Sequence, residues 1–241
     1  MSEAHCAIWW WRWLHWRWRL TASDAGGAPC AYLLDCVRIR LSRAQRNTRP
    51  MASQSPTSRR PSVHAAVAAF PRSLCALARE TAQDLAAKVD DGYRSQSYRM
   101  DVLGEDVHIP YRLHFLTDAD SIQYLNQRSP LARCLLSRST NGHRRQIALR
   151  SILGLKETWI IPFVVFPVGE YVVEIIQDIQ ASLLALDRSA FANFIRENRS
   201  TMRVLRSRAT SYWDCYHRLA YPDKRSYPGM VVLNQLEQWA S

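Results

Sequence analysis

The chain has no paired cysteines, almost no lysine, no long apolar run and none of the short motifs that announce common enzymes, and each absence closes off a class of protein. Its six cysteines (Cys6, Cys30, Cys36, Cys75, Cys134, Cys215) form no C-x-x-C pair. That argues against a disulfide framework or a zinc site and for reduced thiols in the cytoplasm. Three lysines (Lys88, Lys156, Lys224) stand against 29 arginines, the bias of a GC-rich, bacterial-type coding sequence. The longest apolar run, Trp159 to Gly169, is interrupted by Pro162 and Pro167 and followed by Glu170, Glu174 and Asp178, so it is too short to span a bilayer. A secretory signal, with its clean apolar stretch and small-residue cleavage site, is also missing. G-x-S-x-G, P-loop, G-x-G-x-x-G and H-E-x-x-H are all absent, which removes most familiar hydrolases, nucleotide-binding enzymes and zinc proteases.

What is present begins with tryptophan. Six of the ten residues from Trp9 to Trp18 are tryptophan, interleaved with Arg12 and Arg17. The run fits neither a helical nor a strand period. It resembles the short Trp/Arg-rich antimicrobial peptides, which would imply indoles in a headgroup layer and contact with a membrane if the leader is genuine. Codon composition favours another reading: TGG and CGG arise together in G-rich repeats, and Met51-Ala52-Ser53-Gln54 reads as an ordinary start. Residues 1–60 are therefore expected to be a mis-annotated or disordered leader without a regular fold, and 61–241 a single helix-rich globular domain. Residues 1–50 hold eight arginines and three acids (Glu3, Asp24, Asp35), a net +5 of the chain's +11. The patterned region keeps +6, which permits nucleic acid as a partner without demanding it.

The fold class expected for that region is mainly α (α+β): a helical bundle-like domain with one antiparallel β-hairpin at about 96–115. Val63 to Ala87 reads as two helices meeting at Pro71. Tyr98, Met100 and Val102, then Val107, Ile109, Tyr111, Leu113 and Phe115, alternate with polar residues, as a strand with one buried face does. The turn is expected at Gly104-Glu105-Asp106, and His108, Arg112 and His114 on the outer face. Helix starts are signalled at Thr117 with Asp120, at Ser129 before Pro130, and at Asn141-Gly142 before His143. Thr158 to Leu186 reads as one central helix kinked near Pro167, followed by Ala190 to Leu219 with a break near Asn198, and by Pro228 to Trp239. The pair of helices around Gly154, with Arg145, Ala148, Leu149 and Ile152 followed by Trp159, Pro162 and Val165, resembles one helical-repeat unit of the HEAT kind, whereas a solenoid needs several.

Four candidate sites emerge. Glu170 and Glu174, with Asp178, fall one helical turn apart and are the candidate catalytic carboxylates, although no histidine accompanies them at metal-ligand spacing. His108, Arg112 and His114 share the polar face of a strand, so a small polar site can form around Arg112 and His114, whereas His108 and His114 lie roughly 20 Å apart, too far to share an ion. His143, Arg144 and Arg145 sit at a helix N-terminus, where amides and positive charge suit an anion. Arg196, Arg199, Arg203 and Arg206 share a helix face beside Tyr212, Trp213 and Tyr216, a pattern that suits a nucleic-acid backbone. No metal site and no cofactor are expected. The function expected is macromolecule binding, with an unidentified protein partner, by a non-enzymatic helical domain. The alternatives are a nucleic-acid-associated protein using the basic face and an enzyme using the helix-borne carboxylates.

Overall fold

In the computed structural model, which describes residues 61–86, 96–115 and 129–241, every residue from Ile160 to Glu170 is buried. A segment apolar on all sides belongs in an interior. Pro162 and Pro167 lack the N–H that a continuous helix needs, so the segment runs as a 3-10 turn (Thr158–Ile160), a short helix (Ile161–Val165) and a second 3-10 turn (Phe166–Gly169). The single kinked helix expected over Thr158–Leu186 is thus broken into pieces. Gly169 completes the break. A Cβ there would lie 2.8 Å from Leu205 Cδ2 and 3.3 Å from Leu205 Cα, so only glycine lets the two backbones approach this closely.

The elements around this axis, in chain order, are α1 (Pro61–Val67), α2 (Cys75–Ala86), β1 (Ser97–Val102), β2 (Glu105–Pro110), α3 (Pro130–Leu136), α4 (Gly142–Arg150), α5 (Ile161–Val165), α6 (Val173–Ser182), α7 (Arg188–Glu197), α8 (Arg199–Tyr212) and α9 (Pro228–Ala240). All lie within one unit, Thr57–Ser241. The fold class is as expected, mainly α with one antiparallel two-stranded sheet. The Trp9–Trp18 run, the start expected at Met51 and the helix expected from Thr117 lie outside the described residues. The stretch that resembles the opening of a second HEAT unit is the five-residue α5 between its two 3-10 turns.

Local signals account for most boundaries. Ser129 caps α3 by accepting from Ala132 N, Asn141 caps α4 through His143 N and Arg144 N, and Asp187 caps α7 through Ser189 N and Ala190 N. In the hairpin, Met100 opposes Val107 and Tyr98 opposes Ile109. Met100, Val102, Val107 and Ile109 are buried, as the alternation requires. The turn is one step earlier than expected. Leu103 and Gly104 occupy it with φ of 58° and 76°, the twist that suits a two-residue hairpin loop, and Glu105 and Asp106 already belong to β2. Pairing stops at Pro110. Beyond it Leu113 bridges Ser139, its N–H donating to Arg138 O and its carbonyl accepting from Thr140 N, which draws the chain onto the loop between α3 and α4.

The break at Asn198 has a structural use. This residue is 3% exposed and ends α7. Its Oδ1 accepts from Asp101 N at 2.8 Å, while Nδ2 donates to Asp101 O at 2.8 Å and to Phe194 O at 2.9 Å. One amide side chain thus extends the outer edge of β1 and ties the hairpin to the helices. Asn198→Ala should lower the unfolding free energy by about 2 kcal/mol, because it strands backbone groups away from water. Urea denaturation checks this, and a variant as stable as the parent would show that the tie contributes nothing.

Candidate functional site

Glu170 follows the buried segment directly and adopts an extended conformation (φ −113°, ψ 173°), so it precedes α6 and does not ride on it. Its carboxylate enters the core 1% exposed, and arginines from three separate stretches meet it. Arg112, just past the end of β2, binds side-on with Nη1 to Oε1 and Nη2 to Oε2, both 2.8 Å. Arg138, in the loop after α3, donates from Nη2 to Oε1. It also holds the backbone beyond β2 through Nε to Pro110 O at 3.1 Å and Nη2 to Tyr111 O at 2.7 Å. Arg145, in the first turn of α4, brings Nε to 3.6 Å from Oε2 and anchors Nη1 on Ser139 O and Thr140 O at 3.0 and 3.1 Å.

Aromatic rings cover the cluster. The Arg138 guanidinium lies 4.6 Å from the centre of the Phe166 ring, and Arg112 lies 4.5 Å from that of Tyr111. Arg208 faces Tyr98, Tyr111 and Phe166 at 5.3, 5.1 and 5.5 Å and donates to Tyr98 Oη at 2.9 Å. Phe166 therefore lies close to two guanidiniums, a favourable contact for a desolvated cation.

The charges shape the protonation states. Burial by itself would push the Glu170 carboxyl up, but Arg138, Arg112 and Arg145, with the hydrogen bonds from Arg112, override it and hold it down at about 2. Burial brings the Arg138 guanidinium down to about 10, with Glu170 pulling the other way and Arg112 and Arg145 adding repulsion. At neutral pH Glu170 is thus an ionised acceptor whose oxygens are engaged by donors. Such a group has no proton to give, and taking one would break its ion pairs.

This arrangement redistributes the residues expected to act together. Glu170 and Glu174 do not form a carboxylate row with Asp178 on one helix. Glu174 opens α6, half-buried, and Asp178 is bound by Arg150 at 2.9 Å and Gln146 at 2.8 Å. Arg112 turns inward because strand pairing has ended at Pro110, whereas His108 remains exposed and His114 is half-buried. At the α4 N-terminus His143 is exposed, Arg144 is buried against the Phe115 ring, and Arg145 belongs to the cluster. The arginine face is divided. Arg196 lies in the last turn of α7 and reaches Ala240 O and Asn193 Oδ1. Arg206 grips Glu237 and Asn234 of α9. Arg199 and Arg203 are exposed on α8. Sequence reasoning missed Arg138 altogether, and the available signal was the single charge closing a run with no polar face, which obliges a buried counter-charge.

A separate groove of about 270 Å³ between the Ile152–Glu157 turn and the start of α7 is lined chiefly by apolar residues such as Leu155, Ile161, Val164 and Phe191. Charged groups line it only at Lys156, Glu157 and Asp187, and the Asp187 carboxylate is engaged in capping α7. Among the described residues no group of three or more His, Cys, Asp or Glu is placed to hold a metal ion, and no helix is long and apolar enough to cross a membrane. Among the described residues Cys75 and Cys134 are free thiols. No family model, curated protein or solved structure matches the chain.

Glu170→Gln should cost about 3 to 5 kcal/mol of unfolding free energy at pH 7, because it leaves buried guanidiniums without their counter-charge. The acid limb carries a second signature. In the unfolded chain this carboxyl takes a proton near its ordinary value of 4.5, while in the folded chain it stays ionised down to about 2. Between those values the unfolded state binds more protons, so the stabilisation is fully present above about pH 4.5 and is lost as the pH falls toward 2. Denaturation curves collected across that window should be flatter for Glu170→Gln than for the parent. Equal slopes would mean that Glu170 is not the titrating group.

Proposed function

We propose that this chain is a non-enzymatic, macromolecule-binding helical domain that docks a protein partner in a bacterial-type cytoplasm. The observation that carries the reading is the exposed aromatic and aliphatic row at the end of α8. Val204, Tyr212 and Tyr216 fall at multiples of four residues, with Tyr212 half-buried. Val204 is 49% exposed, Tyr216 44% and Leu219 98%. The row continues through a π-helical turn at Trp213–His217. Arg218 lies over the Trp213 ring at 5.4 Å, and Tyr212 lies 6.0 Å from Tyr171 and 6.1 Å from Tyr216. Tyrosine, tryptophan and arginine on a supported helix end are the residues that dominate protein interfaces. The engagement of Glu170 in the core weighs against chemistry at the helix-borne carboxylates.

Nucleic acid is the second reading, resting on Arg199 and Arg203, which stay exposed on α8. The two separate in a crosslinking experiment. A photoreactive residue at Tyr216 in the full chain should capture one defined protein, and Leu219→Glu should abolish that capture at least tenfold without changing the fold. A salt-sensitive shift with DNA or RNA, lost in Arg199→Glu plus Arg203→Glu, would instead establish the second reading. If neither capture nor shift occurs, the domain is not a binding module of either kind.

A further inference from the structure

Leu184 stands wholly in solvent, 102% exposed. It occupies the middle of the 3-10 turn Leu183–Ala185 that follows α6, with half-buried Leu183 before it and half-buried Leu186 two residues on. A single exposed leucine on a protein surface needs no explanation. This one adjoins a hole. The groove of about 270 Å³ begins at the next residue: Ala185, Leu186 and Asp187 line it together with Gly154, Leu155 and buried Phe191. Its volume lies below the roughly 300–1,000 Å³ of pockets that hold drug-sized ligands. It exceeds the cavity of about 150 Å³ that loss of a leucine side chain leaves in a protein core. The groove is therefore of a size to take one leucine side chain.

A surface that carries a projecting leucine beside a leucine-sized hole is complementary to itself, and a twofold axis between two copies fills both holes at once. The charges around the groove point the same way. Lys156 and Glu157 are exposed among its lining residues, and Asp187 and Arg188 are exposed where α7 begins. Two cations and two anions cancel, so neither an acidic nor a basic partner gains from this patch. A copy turned about a twofold axis can instead set each cation against an anion. Asp187 has an oxygen to offer such a contact, because its α7 cap uses Oδ1 alone, which accepts from Ser189 N, Ser189 Oγ and Ala190 N.

We infer that this surface joins two copies of the chain about a twofold axis, with Leu184 of each copy seated in the groove of the other against Leu155 and Phe191. The contact buries the most exposed leucine of the domain together with the groove. It stands apart from partner docking at α8, since Leu184 and Tyr216 belong to different elements.

Sedimentation velocity on the full chain, from low to high micromolar concentration, should show a passage from monomer to dimer that stops there, because a twofold contact closes on itself. Leu184→Glu changes a side chain that the folded monomer leaves in solvent, so it should keep the helical circular dichroism. It should weaken the dimer by roughly a hundredfold or more, since two apolar burials are lost together. Ala190→Phe, which fills the groove from the first turn of α7, should weaken the dimer likewise. Leu219→Glu should leave the dimer intact, which separates this contact from docking at α8. A photoreactive residue at position 184, in a mixture of light and heavy-isotope copies, should crosslink to the peptide that carries Phe191 of the other copy. A parent that stays monomeric, growth beyond the dimer, a dimer untouched by Leu184→Glu or lost in Leu219→Glu, or crosslinks confined to one copy would overturn the inference.

Discussion

Moving a carboxylate from water into a protein interior costs several kcal/mol even after relaxation, and this fold accepts that cost at Glu170. What offsets it is convergence. Arg112 follows the hairpin, Arg138 follows α3, Arg145 opens α4, and Glu170 closes the central buried segment. Four stretches that share little else are thereby held to one point. The backbone beyond β2 is positioned by Arg138 through the carbonyls of Pro110 and Tyr111, and the α3–α4 loop by Arg145 through those of Ser139 and Thr140. An apolar residue at position 170 could fill space, but it could not order three guanidiniums. Directional hydrogen bonds specify which segments meet, whereas apolar burial specifies only that they do.

Around that point the fold uses the same device on a smaller scale. Asn198 interrupts α7 and α8 and spends its amide on the backbone of Asp101. The hairpin is thus tied at one end by a side chain acting as an extra strand and at the other by the Arg138 loop. A two-stranded sheet alone is marginal in water, so these ties, together with the burial of Met100, Val107 and Ile109, are what keep it in place. The exposed end of α8 then projects from a braced support, with Arg208 wedged among Tyr98, Tyr111 and Phe166 beneath it.

Much of this was legible in the sequence where the determinants are local. Ser129, Asn141 and the break at Asn198 mark helix ends through side-chain chemistry acting within three or four residues. The alternation from Val107 to Ile109 marks a strand because neighbouring side chains point to opposite faces. The candidate site was legible only in fragments. Glu170 looked like the first member of a solvated helix row because Glu174 and Asp178 share its spacing, yet Pro167 and Gly169 end the periodicity before it begins. Arg112 continued a polar phase that stopped at Pro110, and Arg138 sits in a loop that has no period to read.

Composition and periodicity by themselves determined a helix-rich domain with one hairpin and an interior segment too apolar to face water, because those properties follow from hydrophobic pattern and local capping. Which charges meet was decided by tertiary structure alone. Arg112 and Glu170 are 58 residues apart, and Arg138 and Glu170 are 32 apart. No local rule connects groups at such separations. Only the packed chain, in which a buried carboxylate must find donors or remain costly, brings them together.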